Sequence, residues 1–174
     1  MRRLGISIYP EKSTLAEIKS YLKKTSEFGF SRIFSCLLSV NKPAEEIKKE
    51  FTEINEYAHS LGFEVIVDVS PRVFGELNIS YKDLSFFKEI GADGIRLDAG
   101  FSGLEESIMT YNPQGLIIEI NMSNNVHTLD TIMDYRPNKY KLYGCHNFYP
   151  HRYSGLNLDF YKECTRRFNQ YGLK

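Results

Sequence analysis

Two rhythms of apolar residues alternate along the chain. Short runs dense in Ile, Val, Leu and Phe are separated by longer stretches in which apolar residues return every third or fourth position. The short runs predict strands over 4–9, 32–38, 64–68, 94–98, 116–121 and 141–148. The longer stretches predict helices. Thr14-x-x-Glu17 is a capping-box signature ahead of Leu15, Ile18 and Leu22. Pro43 suits a first helical position, before Ile47, Phe51, Ile54, Ala58 and Leu61. A loop with Pro71 and Gly75 follows the third strand. Ser80 then caps a helix carrying Leu84, Phe87 and Ile90. Shorter helices are expected over 102–110 and 126–135, and a last one carries Leu158, Tyr161, Thr165 and Phe168.

Three helices end on one signal: Phe28-Gly29-Phe30, Leu61-Gly62-Phe63 and Ile90-Gly91-Ala92. A glycine takes the left-handed turn that closes a helix, and the apolar residue after it docks back. Each signal precedes a strand, so the unit is strand–helix, repeated at about thirty residues. The strands have few polar breaks, as in a parallel sheet covered by helices. Two architectures share this pattern, a complete doubly wound sheet and an α/β (β/α)8 TIM-type barrel truncated after about six βα units. Tyr171-Gly172-Leu173-Lys174 repeats the strand-entry signal, which favours the barrel. Residues 1–174 are then one partial barrel domain, with strands one and six as open edges that template self-association.

Composition narrows the function. The 174 residues carry a formal net charge of +0, so there is no overall charge to draw nucleic acid or an anionic membrane. The amino terminus makes a poor signal peptide because Pro10 and Glu11 end its short apolar run. No stretch reaches transmembrane length. Cys36, Cys145 and Cys164 are widely spaced and fit free thiols in a reducing compartment, with a catalytic cysteine the less favoured reading.

The candidate chemistry gathers at the carboxyl ends of the strands, the functional end of parallel α/β folds. Tyr9 and Glu11 end the first strand, Asp68 the third, Arg96 and Asp98 the fourth, and Glu119 and Asn121 the fifth. His146, Asn147 and Tyr149 end the sixth, with His151 and Arg152 in the loop beyond. His59 and His127 read as surface residues of helices. Residues two apart on a strand share a face, so Arg96 lies with Asp98 and Glu119 with Asn121. Adjacent strands stand roughly 4.8 Å apart, which would bring Asp98 and Glu119 together. Paired carboxylates suit glycosidic cleavage. The plainer alternative is that Arg96 only neutralises a carboxylate in the barrel mouth.

Several of these segments resemble a known family. Ile6-Ser7-Ile8-Tyr9-Pro10-Glu11, Arg96-Leu97-Asp98-Ala99-Gly100-Phe101 and His146-Asn147-Phe148-Tyr149-Pro150 with Tyr153-Ser154-Gly155-Leu156 resemble a group long labelled "outer surface protein". Its characterised members are bacterial 6-phospho-N-acetylmuramidases, and the likeness points to the staphylococcal ones. The His-Asn-Phe-Tyr-Pro stretch is its most specific part. The resemblance implies a (β/α)8 barrel followed by a smaller cyclophilin-like β domain. It implies cytoplasmic hydrolysis of a disaccharide containing N-acetylmuramic acid 6-phosphate, during peptidoglycan recycling and without a cofactor. The last barrel units and the second domain have no counterpart in this chain.

From placement, Asp98 and Glu119 are expected as the catalytic carboxylates. Tyr9, Glu11, Asp68, Arg96, Asn121, His146, Asn147, Tyr149 and Arg152 are expected to hold a small phosphorylated amino-sugar disaccharide. Two other readings stay open. One is a metal-dependent sugar-phosphate isomerase or epimerase using Asp68, Asp98, Glu119 and His146 as ligands. The other is a non-catalytic carbohydrate-binding protein.

Overall fold

A computed structural model describes residues 4–37, 42–98, 100–121, 129–134, 137, 142–145 and 158–173. Six parallel strands, β1 (Gly5–Ile8), β2 (Arg32–Cys36), β3 (Glu64–Val69), β4 (Gly94–Leu97), β5 (Ile117–Asn121) and β6 (Leu142–Cys145), form one sheet in sequential order. Every neighbouring pair is parallel. There is no switch in strand order, so the sheet is that of a truncated barrel and not of a doubly wound fold.

The helices are α1 (Leu15–Ser26), α2 (Ala44–Ser60), α3 (Pro71–Glu76), α4 (Ser85–Glu89), α5 (Gly103–Tyr111), α6 (Leu129–Asp134) and α7 (Leu158–Tyr171). The Thr14–Glu17 capping box forms as expected, and Ser102–Glu105 makes a second one at α5. The end of α2 shows how the glycine signal works. Gly62 adopts φ 82° and donates to the His59 carbonyl at 2.9 Å, while Phe63 donates to the Ala58 carbonyl at 3.1 Å. The Phe63 side chain is thereby buried at the entrance to β3.

Two elements differ from expectation. The predicted loop at Pro71 is the helix α3, because Ser70 is extended and Pro71 enters with its ring-fixed φ at the first turn. Gly75 sits inside that helix and does not break it. Helix α4 starts at Ser85, later than a cap at Ser80 implied. The Asp83 carboxylate accepts from the Ser85 N–H at 3.0 Å, while Ser80 Oγ accepts from Lys82 in a turn of its own.

Strand parity divides the sheet. Ile8, Ile33 and Val65 pack with Ile18, Leu22 and Ile54 of α1 and α2. Farther along the sheet, Val67, Ile95, Leu97 and Ile118 pack in a second cluster with Phe74, Phe87 and Met109. At Gly94 the close approach of β4 and β5 dictates the residue, since a Cβ there would stand 2.4 Å from the Ile117 carbonyl oxygen. Strands β1 and β6 are the sheet's two edges. No helix among the described residues is long and apolar enough to cross a membrane.

Candidate active site at the strand ends

The face turned away from the helices carries the charge. One register row runs Cys36, Asp68, Arg96, Glu119 and Tyr143 across β2 to β6. Asp98 and Asn121 stand two positions farther along their strands, toward the carboxyl edge. Arg32 and Glu64 pair with each other at the amino end.

At the carboxyl edge the side chains form a continuous set of contacts. Arg96 Nε donates to Asp68 Oδ1 at 3.0 Å, and Nη2 reaches Oδ2 at 3.5 Å. The same guanidinium lies 4.4 Å from the Phe34 ring centroid, a cation–π contact in a desolvated place. Asp98 is half-buried, and its backbone N–H donates to the Val69 carbonyl at 3.1 Å. Its carboxylate accepts from Asn121 Nδ2 at 3.0 Å. The Asp98 carboxylate stands near enough to Asp68 for its charge to bear on it. Burial pushes the Asp68 carboxyl above its usual range, Arg96 opposes the rise, and the Asp98 charge adds to it.

Toward β1 the set continues through Cys36, whose Sγ donates to Asp68 Oδ2 at 3.9 Å and to which Tyr9 stands close. Tyr9 is 41% exposed at the mouth. Burial, then the charge of Asp68, push the Cys36 thiol up to about 12. A thiol held protonated at neutral pH is no nucleophile, so Cys36 acts here as packing and as a weak donor. Glu11 is exposed in the turn that follows β1.

Glu119 takes a different direction. It is completely buried, and its carboxylate meets Arg32 Nη1, whose backbone lies at the opposite end of the sheet. Arg32 Nε also pairs with Glu64 Oε1 at 2.6 Å, and the guanidinium lies 5.9 Å from the Tyr143 ring centroid. Burial raises the Glu119 carboxyl, with Arg32 and then Arg96 opposing. Asp98 and Glu119 were expected to face each other at the mouth. The structure instead brings Asp98 to Asp68 and Asn121 and turns Glu119 toward Arg32.

Of the expected site residues, Tyr9, Asp68, Arg96, Asp98 and Asn121 therefore come together. His146, Asn147, Tyr149 and Arg152 lie outside the described residues, as do His127 and His151. His59 sits at the end of α2 with Nε2 2.9 Å from Asp93 Oδ2, a partly exposed pair away from the strand ends. Sequence reasoning missed Arg32, Phe34 and Glu64. Parity was the signal available, because each shares a face with Cys36 or Asp68. Among the described residues no group of three or more His, Cys, Asp or Glu is placed to hold a metal ion.

Known proteins give this arrangement a family. A crystal structure of an uncharacterized B. cereus protein superposes with a TM-score of 0.78 at 48% identity, covering 99% of this chain and 46% of that one. A conserved Enterococcus faecalis protein of unknown function superposes with a TM-score of 0.76 at 22% identity, covering 99% and 47%. The chain thus spans about half the length of these two proteins. The citrate synthase SbnG shares the fold, with a TM-score of 0.64 at 11% identity over 97% of this chain and 74% of that one. No curated protein matches the chain. Its sequence does match the family described as 6-phospho-N-acetylmuramidase, N-terminal, over residues 4–174, and at that coverage the chain belongs to this family.

Proposed function

We propose that the chain is the amino-terminal part of a glycosidase that cleaves disaccharides containing N-acetylmuramic acid 6-phosphate, in the cytoplasm, during peptidoglycan recycling. The rest of the barrel and a second, β domain would complete the full-length protein. The family gives the substrate class. The observation that carries the reading is the placement of Asp98. It is a half-buried carboxylate at the carboxyl edge, oriented by Asn121 and backed by the Asp68–Arg96 pair.

In this reading Asp98 meets the scissile bond as general acid, then as base. Tyr9 and Glu11 bind sugar from the β1 side. Asn121 orients Asp98, and Arg96 orients Asp68. His146, Asn147, Tyr149 and Arg152 would complete the sugar contacts beyond β6. Glu119, expected as the second catalytic carboxylate, instead holds Arg32 and the buried charges beneath the site. A carboxylate with no exposed surface, already paired to a guanidinium, is badly placed to meet a substrate.

The test is turnover of a MurNAc 6-phosphate disaccharide by the full-length protein, with and without chelator. We expect hydrolysis that chelator leaves unchanged. Absence of hydrolysis would overturn the proposal. Activity lost to chelator and restored by a divalent cation would transfer the site to the metal-dependent reading.

A further inference from the structure

We propose that Gly100 and Phe101 are positioning residues for Asp98, and that helix α3 is the ledge against which they set it. This rests on the glycosidase reading above and deepens it by naming what aims the acid from the β3 side.

A proton donor has to meet the leaving oxygen within hydrogen-bond reach, and a misplacement of about 1 Å can cost about a hundredfold in rate. Asp98 stands just past Leu97, the last residue of β4, so its aim depends on more than the strand. From the β5 side Asn121 Nδ2 holds its carboxylate at 3.0 Å. From the β3 side the hold is on the chain itself. The Asp98 N–H donates to the Val69 carbonyl at 3.1 Å. Two residues on, Gly100 takes φ 105°, which is open to glycine and strained for a residue with a Cβ. It passes close to the Pro71 ring, for a Cβ built on it would stand 3.4 Å from Pro71 Cδ.

Phe101 then turns into the protein. It is 7% exposed although it belongs to neither a strand nor a helix. Its ring meets that of Phe74 in α3 edge to face, with centroids 5.7 Å apart at 89°. It meets Tyr81 at 6.2 Å and 78°, and Phe74 and Tyr81 lie 4.8 Å apart, so Phe101 docks on a pair of rings. The next residue, Ser102, begins the capping box of α5. Asp98 and Phe101 are three residues apart, at most about 11 Å of extended chain. With both ends of so short a span held on β3 and α3, the path between them has little room to change. The helix hidden behind Pro71 and Gly75 in the sequence thus supports the loop that carries the acid.

Packing alone would also bury Phe101, so the experiment reads the acid rather than the fold. It uses full-length protein and two glycosides of MurNAc 6-phosphate. In one the leaving group is a sugar, whose oxygen takes a proton as the C1–O bond breaks. In the other it is 2,4-dinitrophenolate, which leaves without one. The ratio of kcat/KM for the two substrates does not depend on how much enzyme is folded, so a residue that only packs leaves it unchanged. We expect Phe101→Ala to lower kcat/KM for the sugar glycoside by about tenfold to a hundredfold, and for the dinitrophenyl glycoside by no more than about threefold. Gly100→Ala keeps the aromatic ring and should move the ratio in the same direction. Where Phe101→Ala does not fold, Gly100→Ala decides by itself. In the Asp98→Asn background Phe101→Ala should move the ratio no further, because the acid it aims is gone. A wild-type ratio in Gly100→Ala or in folded Phe101→Ala, or an undiminished further shift in the Asp98→Asn background, would overturn this inference and leave the glycosidase reading standing. No turnover of the sugar glycoside by the wild-type protein would remove both.

Discussion

The inner face holds two charge clusters built from the same residue types, and they differ in what they leave reachable. At the carboxyl edge, Asp68, Arg96, Asp98 and Asn121 end in a half-buried carboxylate beside an exposed tyrosine. One layer deeper, Arg32 gathers Glu64 and Glu119, and Glu119 has no exposed surface. Each cluster holds one guanidinium and two carboxylates. In the deeper one the carboxylates converge on the cation. In the upper one Arg96 holds Asp68, Asn121 holds Asp98, and the Asp98 carboxylate is only half-buried at the mouth. Charge at a strand end is thus an incomplete sign of catalysis, and the direction of the side chain completes it.

The largest effect that tests this contrast is on rate. Asp98→Asn in the full-length protein should lower kcat by roughly a hundredfold or more, the usual size of a lost general acid. Circular dichroism should show the fold intact. A folded variant that keeps more than about a tenth of the wild-type kcat would erase the distinction between the layers.

The deeper cluster should answer in stability. Arg32→Ala leaves Glu64 and Glu119 facing each other without their cation. Removing one partner of a buried pair costs about 3–5 kcal/mol, because the other charge stays buried. Chemical denaturation should show this loss, while kcat per folded molecule stays close to wild type. Near-normal stability with a collapsed kcat would move Arg32 into the upper cluster's role.

Glu119→Gln sharpens the same contrast at smaller scale. Arg32 keeps Glu64, so the expected loss is about 1–3 kcal/mol for one charge-assisted contact. Turnover should stay within about tenfold of wild type, a loss well below that of a missing acid. A greater fall in kcat with unchanged stability would restore Glu119 as a catalytic group.

Much of the fold was legible because its signals are local. The Thr14–Glu17 box and the glycine after each helix are read within a few residues, and both formed. The α3 helix was hidden because Pro71 and Gly75 together look like a loop, although Pro at a first helical turn is favourable. In the site, parity correctly placed Arg96 with Asp98 and Glu119 with Asn121 on the inner face. It could not say whether a long side chain leans up or down its strand. For Glu119 that choice is made by Arg32, which is far off in sequence. Pairing Asp98 with Glu119 rested on strand spacing alone. Asp68 and Glu119 stand in the same register row on the two strands that flank β4, so strand spacing could not choose between them.

The smallest effect is a slope with pH. Burial, less what Arg96 gives back, leaves the Asp68 carboxyl titrating above its ordinary value, and Asp98 adds to the rise. The folded state therefore holds a proton that the unfolded chain releases at lower pH. The stabilisation from that proton is fully present below the ordinary carboxylate pKa and is lost as pH rises through the raised one. Glu119, also raised by burial, contributes with the same sign. Unfolding free energy should then decline as pH climbs from about 4 through the raised values. Asp68→Asn keeps the shape and stays neutral, so it removes its share of that decline and leaves Glu119's. The variant also costs a constant offset, since an amide pairs poorly with Arg96. The offset and the slope separate in urea midpoints measured across the pH range. A wild-type slope retained in full by Asp68→Asn would mean that Asp68 holds no extra proton in the folded protein. The upper cluster would then be an ordinary ion pair, no different in kind from the one beneath it.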